Sequence, residues 1–444
     1  MQVSPSPTRD EIKPVVKLGV PLMIGLAASL MIGIVDTIMI SPLGTVPLAA
    51  AGITTAALII LISALWGVIT VISVRISQAD GAGSPTRVSE ELRAGLAASV
   101  VAGGVTVALM IAAFPLLGPI GQPAEVIAIL FPYWLSMAVW IMPFILYFSL
   151  KALFDAVGRE WTGVVISYVG VVANIPANYA FIYIFDLGLV GAGYASILSQ
   201  TLSLAAGYGY WRLAPSMAAY RAPARITWAR VGTCLKESLP LCIGYAGEGG
   251  AYAMIGIMMG WLGATALAAH QVVNAASGLA YVVPLGLAGA VSIRVGQAVG
   301  QERRGRLRPI LKAGIGVSVV WQTVISILFI TFGGIMAASL STDPAVVALA
   351  TLLFIAVALL QVADGIQGTS LGALRGMSDN SIPTAITLIA YWALALPLAY
   401  VFAFWLGYGA LGLWAGYTVG LAVAAIALPW RYWRLTRVGL KSPA

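Results

Sequence analysis

Three carboxylates interrupt the long apolar stretches of this sequence: Asp36, Glu248 and Asp364. Glu248 has no Lys or Arg in the eleven residues before it or the dozen after it. An ionised carboxylate at bilayer depth costs at least ~2.5–3.5 kcal/mol, so each acid must face a wet cavity, a cation or a hydrogen-bonding partner. Such acids can bind a proton or a small metal cation, or hold an organic cation. The bland alternative is a neutral, hydrogen-bonded structural acid. Three of them, with no intramembrane Lys or Arg to pair with, favour the functional reading. Asn174 and Asn178 are four apart, with Pro176 between them, and so share one helix face. Paired amides can complete an oxygen cage around a cation or hydrogen-bond a protonated Asp36; they can equally bond two helices together.

Other polar residues carry weaker signals. His270 reads as a hydrogen-bonding residue in helix packing. Lys151 and Asp155, also four apart, read as a local ion pair at the membrane interface. Pro143, Pro176, Pro284 and Pro397 interrupt apolar runs and should kink them. Trp134, Tyr408 and Trp430 sit near run ends and are expected in interfacial belts. Trp140, Tyr252 and Tyr281 lie deeper, where packing against lipid competes with lining a pocket for cations. Cys234 and Cys242, the only cysteines, are expected to be free thiols.

The elements that position these groups follow from composition. Of 444 residues, 60% are hydrophobic and 9% charged, with mean hydropathy +0.96; soluble domains are about 25% charged. No soluble core hides that much apolar surface, so lipid must be the main solvent. Windows long enough to span the hydrocarbon fall at 15–40, 47–74, 94–113, 127–150, 161–183, 189–211, 237–260, 266–293, 313–332, 347–374, 381–403 and 410–430. The expectation is an all-α polytopic membrane protein of twelve transmembrane helices. The polar N-terminus has no small-residue cleavage site before the first run, which reads as a retained helix.

The twelve are six, doubled. A shift of 219 lays Pro240–Gly300 over Pro21–Gly81 without a gap, pairing Pro240 with Pro21, Arg294 with Arg75 and Gln297-Ala298 with Gln78-Ala79. From Leu150 onward a shift of 221 pairs Leu371, Pro397, Tyr400 and Gly412 with Leu150, Pro176, Tyr179 and Gly191. Six is even, so the copies run parallel. They predict two pseudo-symmetric six-helix lobes: residues 1–212, a basic cytoplasmic linker over 213–231, and residues 232–444. None of the acids is repeated: Asp36 falls on Ile255, Glu248 on Ser29 and Asp364 on Pro143. They are not scaffold inherited by both copies.

All 24 Lys and Arg fall in the termini and alternate connections, counting Lys17 at the inner edge of the first window with the N-terminus, while the other connections carry only Glu125, Asp186 and Asp343. By the positive-inside rule both termini are cytoplasmic. The net charge of +8 thus lies along an anionic lipid surface, and no nucleic-acid partner is expected. There is no Gly-x4-Gly-Lys-Ser/Thr phosphate loop for ATP, and no nucleophile–base–metal set, so an enzyme is not expected and neither is a resident cofactor.

Together these residues resemble the multidrug and toxic compound extrusion (MATE) family, in its NorM-type bacterial branch. The resemblance rests on Val35-Asp36-Thr37, Leu-Ala-Ala-His-Gln at 267–271, Arg294-Val-Gly-Gln-Ala-Val-Gly300, Gln361 to Asp364, Ala373-Leu-Arg-Gly376 and Asp379 to Pro383. It implies an antiporter of the bacterial inner membrane, exporting cationic amphipathic compounds against inward Na⁺ or H⁺. It also implies a monomer whose partners are small organic cations and membrane lipid. Asp36, Asn174 and Asn178 match the family's N-lobe cation site, and Glu248 with Asp364 its C-lobe site. Asp36, Glu248, Asp364 and Gln361 are the residues it implies for cargo, and all five ion-site residues are candidates for Na⁺. One departure is Asn178, a carboxylate in some relatives, which leaves the ion preference of that lobe open. The competing reading is a flippase for a lipid-linked precursor, which should carry several intramembrane bases for its anionic headgroup; an interior of three acids and no base favours cationic cargo.

Overall fold

The computed structural model describes residues 7–223 and 225–438, and these contain helices but no strands. The first half comprises α1 (Pro7–Ile40), α2 (Thr45–Gly81), α3 (Pro85–Ala113), α4 (Ala124–Ala156), α5 (Glu160–Tyr179) and α6 (Gly188–Leu213). The second comprises α7 (Trp228–Trp261), α8 (Ala264–Gly300), α9 (Leu307–Leu340) and α10 (Pro344–Gly376). Its fifth span is broken into α11 (Ser381–Leu388) and α12 (Leu396–Tyr400), and α13 (Gly409–Val438) is the last. Eleven spans in this range are long and apolar enough to cross a membrane. The twelfth, α7, is 34 residues long; Glu248 and the glycines around it dilute its hydropathy. The terminal residues on which the cytoplasmic ends were read, 1–6 and 439–444, lie outside the described residues.

Helix ends follow local chemistry. Ser84 caps α3, its hydroxyl accepting from the Arg87 amide, and Asp343 caps α10, its Oδ1 accepting from the Ala345 amide at 2.8 Å; both are followed by Pro at the first helical position. Most helices outrun their apolar windows, because the backbone hydrogen-bond ladder continues through polar residues beyond the hydrocarbon. The 213–231 segment is less extended than its prolines suggest: it holds a short 3₁₀ turn over Pro215–Arg221, and α7 begins at Trp228.

The repeat is visible in backbone conformation. Gly44 and Gly263, 219 apart, have φ of 110° and 111°, which only glycine adopts without strain, and each ends a tight turn between spans. Wide π-helical turns at Ala180–Ile184 and Val401–Trp405 are 221 apart, each shortly after an intrahelical proline, Pro176 or Pro397. A third, Ile389–Ala395, has no counterpart in the first half.

Two compact units result: Ile24–Cys242, and Met1–Met23 with Ile243–Ala444. The division falls inside α1 and α7, at points 219 apart, rather than in the linker read from sequence. In the first unit α4 packs against α2, α3 and α6; in the second α10 takes the same place among α8, α9 and α13. The start of α1 is built into the second unit: Val15 lies in its apolar core, and Glu11 accepts from Arg294 at 2.9 Å and Arg306 Nε at 2.7 Å. The start of α7 is built into the first, where Arg230 pairs with Glu90 at 2.8 Å and Arg75 meets both Glu91 and Glu237.

Candidate functional site

The site residues form two clusters, one in each unit. In the first unit the Asp36 carboxylate of α1 accepts from Asn178 Nδ2 at 2.7 Å and from Ser196 Oγ at 2.9 Å. Asn178 Nδ2 also donates to Asn174 Oδ1 at 3.0 Å. Both asparagines are fully buried on α5. The four-residue spacing did place both amides on the face that meets Asp36. Asn178 Oδ1 and Asn174 Nδ2 have no partner, so the cluster retains one buried acceptor and one buried donor beside the carboxylate. Ser196 escaped the sequence reading. Its signal was the stripe Ser196, Ser199, Gln200 and Ser203 along one face of α6.

The second cluster lies among α7, α8 and α10. Glu248 and Asp364 line one narrow cleft, together with Tyr245, Tyr281 and Arg375. Both acids are half-buried. Tyr391 OH lies 3.3 Å from Glu248 Oε1 and 2.9 Å from Gln367 Oε1. Tyr391 in turn stacks on Tyr417, with ring centroids 5.6 Å apart and planes at 16°. Tyr281 joins the cleft rather than merely packing against lipid. Gln361, one turn before Asp364, is buried with Nε2 unpartnered and does not line the cleft.

Arg375 corrects the expectation of an interior without bases. The apolar window ends at 374, which made Arg375 a loop residue; α10 continues to Gly376, and the side chain turns inward. Its Nη1 donates to Tyr245 OH at 2.7 Å, and the guanidinium stands 4.4 Å from the Tyr245 ring centroid. Long basic side chains at helix ends can reach several ångströms along the axis, so a base counted at a terminus can serve a site inside.

The remaining expectations divide. Lys151 and Asp155 form their ion pair at 2.7 Å, buried rather than at a wet surface. His270 does not behave as a hydrogen-bonding residue through Nδ1, which has no partner; its ring packs 5.5 Å from Trp414 and 6.3 Å from Tyr252. Trp134 is buried, its Nε1 donating to the Met110 carbonyl at 2.8 Å, rather than placed in a belt, whereas Tyr408 and Trp430 are exposed. Cys234 and Cys242 are free.

A family model described as MatE matches residues 21–180 and again 240–401. The two matches start 219 apart and end 221 apart, the same shifts that relate the halves of the sequence. The chain belongs to the MatE family. A probable multidrug resistance protein NorM of Rhizobium meliloti (strain 1021) is 31% identical over 385 residues, covering 83% of this chain and 82% of its own. One of Deinococcus radiodurans, likewise a probable multidrug resistance protein NorM, is 30% identical and covers 99% of both chains. The bent form of the Vibrio cholerae MATE transporter VcmN superposes with a TM-score of 0.86 at 22% identity, over 97% of this chain and 98% of that one. The twelve-helix MATE fold is thus established for this multi-pass membrane protein.

Proposed function

We propose that this protein is a secondary active multidrug antiporter of the bacterial inner membrane, exporting amphipathic organic cations in exchange for Na⁺ or H⁺. The observation that carries the proposal is that α7 and α10 bring Glu248 and Asp364 into one aromatic-lined cleft. Two ionised acids in a low-dielectric cleft repel, so a proton, Na⁺ or an organic cation is needed to relieve them. Whichever arrives first satisfies the charge and weakens binding of the next, and that negative coupling is what exchange requires. The relatives named as multidrug resistance proteins support this reading.

The Asp36 cluster is the second ion site of the proposal. Its unpartnered Asn178 Oδ1, beside a carboxylate, suits a small cation or the proton of a neutral Asp36. Gln361 does not reach the cleft and is left out of the cargo contacts. Both termini and the basic connections are assigned to the cytoplasm on the Lys and Arg count. A lipid-precursor flippase is not favoured: one base beside two acids leaves the cleft acidic. The deciding experiment is counterflow of a labelled organic cation in proteoliposomes under a Na⁺ gradient alone and a pH gradient alone. Uptake driven by at least one is expected; uptake driven by neither rejects antiport.

A further inference from the structure

The cleft between α7, α8 and α10 is charged unevenly along its length. On α10 the lining positions 364, 368, 371 and 375 are spaced by four, three and four, which places them on one face over three turns. Asp364 stands at one end of this stripe and Arg375 at the other, about 16 Å apart along the axis. Glu248 and Tyr245, one turn apart on α7, face the same space.

Arg375 is not locked in a salt bridge. It is buried, at 8% exposure, its Nε has no partner, and it forms no salt bridge among the described residues. Its neutral anchor is Tyr245, through a hydrogen bond to the hydroxyl and the face of the ring. The first unit treats its buried base differently: Lys151 on α4 is neutralised by Asp155 one turn away. At the repeat positions of Lys151 and Asp155 the second half has Gly372 and Gly376, and at that of Arg375 the first half has Phe154. With both acids ionised, two negative charges and one positive leave the cleft a net charge of minus one.

We propose that Arg375 is a resident counter-cation that restricts this cleft to cargo carrying a single positive charge. A monocation completes neutrality at the acidic end. A dication would carry a surplus charge into the same low-dielectric space and meet the guanidinium, which is anchored on Tyr245 rather than locked in a salt bridge with either acid. The proposal rests on the reading that Glu248 and Asp364 hold the cation, and its test separates the two.

Binding of tetraphenylphosphonium and of an alkyl-linked bis(triphenylphosphonium) dication would be measured on the purified full-length protein. Wild type should prefer the monocation. Arg375→Gln should raise affinity for the dication about 10–100-fold, the effect of one full charge at this range, and for the monocation much less. Arg375→Lys should return the wild-type preference. Tyr245→Phe keeps charge and ring but releases the guanidinium toward the acids, and should weaken monocation binding several-fold. An unchanged ratio of the two affinities in Arg375→Gln, or an equal loss of both, overturns the proposal, as does unchanged monocation binding in Tyr245→Phe. Undiminished monocation binding in Glu248→Gln would instead overturn the underlying site. Loss there, with an unaltered ratio in Arg375→Gln, overturns only the role of Arg375.

Discussion

The two acid clusters occupy related halves of one repeat and are built by opposite means. The hydrogen-bond partners of Asp36 are small or amide-bearing: Ser196 and Asn178 reach the carboxylate directly, and Gly170 leaves room behind α5 for Ser203. At the repeat positions of Gly170 and Ser196 the second half has Tyr391 and Tyr417, the stacked pair beside Glu248. The asparagines are replaced by Ala395 and Ala399, both fully buried where Gly416 and Gly420 let α13 approach so closely that a Cβ on either would strike the facing backbone or side chain. One scaffold therefore supports a compact, hydrogen-bonded cluster suited to a small ion and an aromatic-lined cleft. A repeat fixes where side chains can meet; substitution at a handful of paired positions decides what they hold.

This contrast can be broken most forcefully at the cleft. Glu248→Gln and Asp364→Asn are each expected to lower ion-stimulated efflux at least ~10-fold, with the double variant little worse than either single one, since one shared charge balance is removed once. Losses that multiply in the double variant would show two independent sites. In the other unit Asp36→Asn should abolish coupled export in a protein that still inserts and purifies as a stable species, while wild-type export would return Asp36 to a structural role.

Smaller changes sharpen the difference in hydrogen bonding. Ser196→Ala removes a 2.9 Å bond to a carboxylate, worth ~1–2 kcal/mol, and should reduce export about 5–30-fold. Tyr391→Phe removes a longer contact, 3.3 Å from Glu248, and should cost only ~2–5-fold, because the cleft relies on charge and shape more than on that bond. An export assay in which Tyr391→Phe exceeds Ser196→Ala would invert the assignment of a polar cluster to one unit and an aromatic cleft to the other.

The sequence by itself determined the spans, the doubling and the three acids, because lipid imposes both rules involved. Backbone groups in hydrocarbon must be satisfied within a helix, so apolar runs of the right length declare themselves. Charged groups there are expensive, so Asp36, Glu248 and Asp364 stand out singly. The four-residue spacing of Asn174 and Asn178 foretold a shared face, and the face is the one that meets Asp36. What only the tertiary structure decided concerns partners from distant helices and the reach of side chains. Ser196 is 160 residues from Asp36, and nothing in a stripe of serines says which one meets the acid. Arg375 lies one residue beyond an apolar window, where sequence gives it to the interface. The continuation of α10 and the Tyr245 ring bring its charge into the cleft. The compact units likewise divide within α1 and α7, since a helix shows no break in its own pattern where its packing partners change.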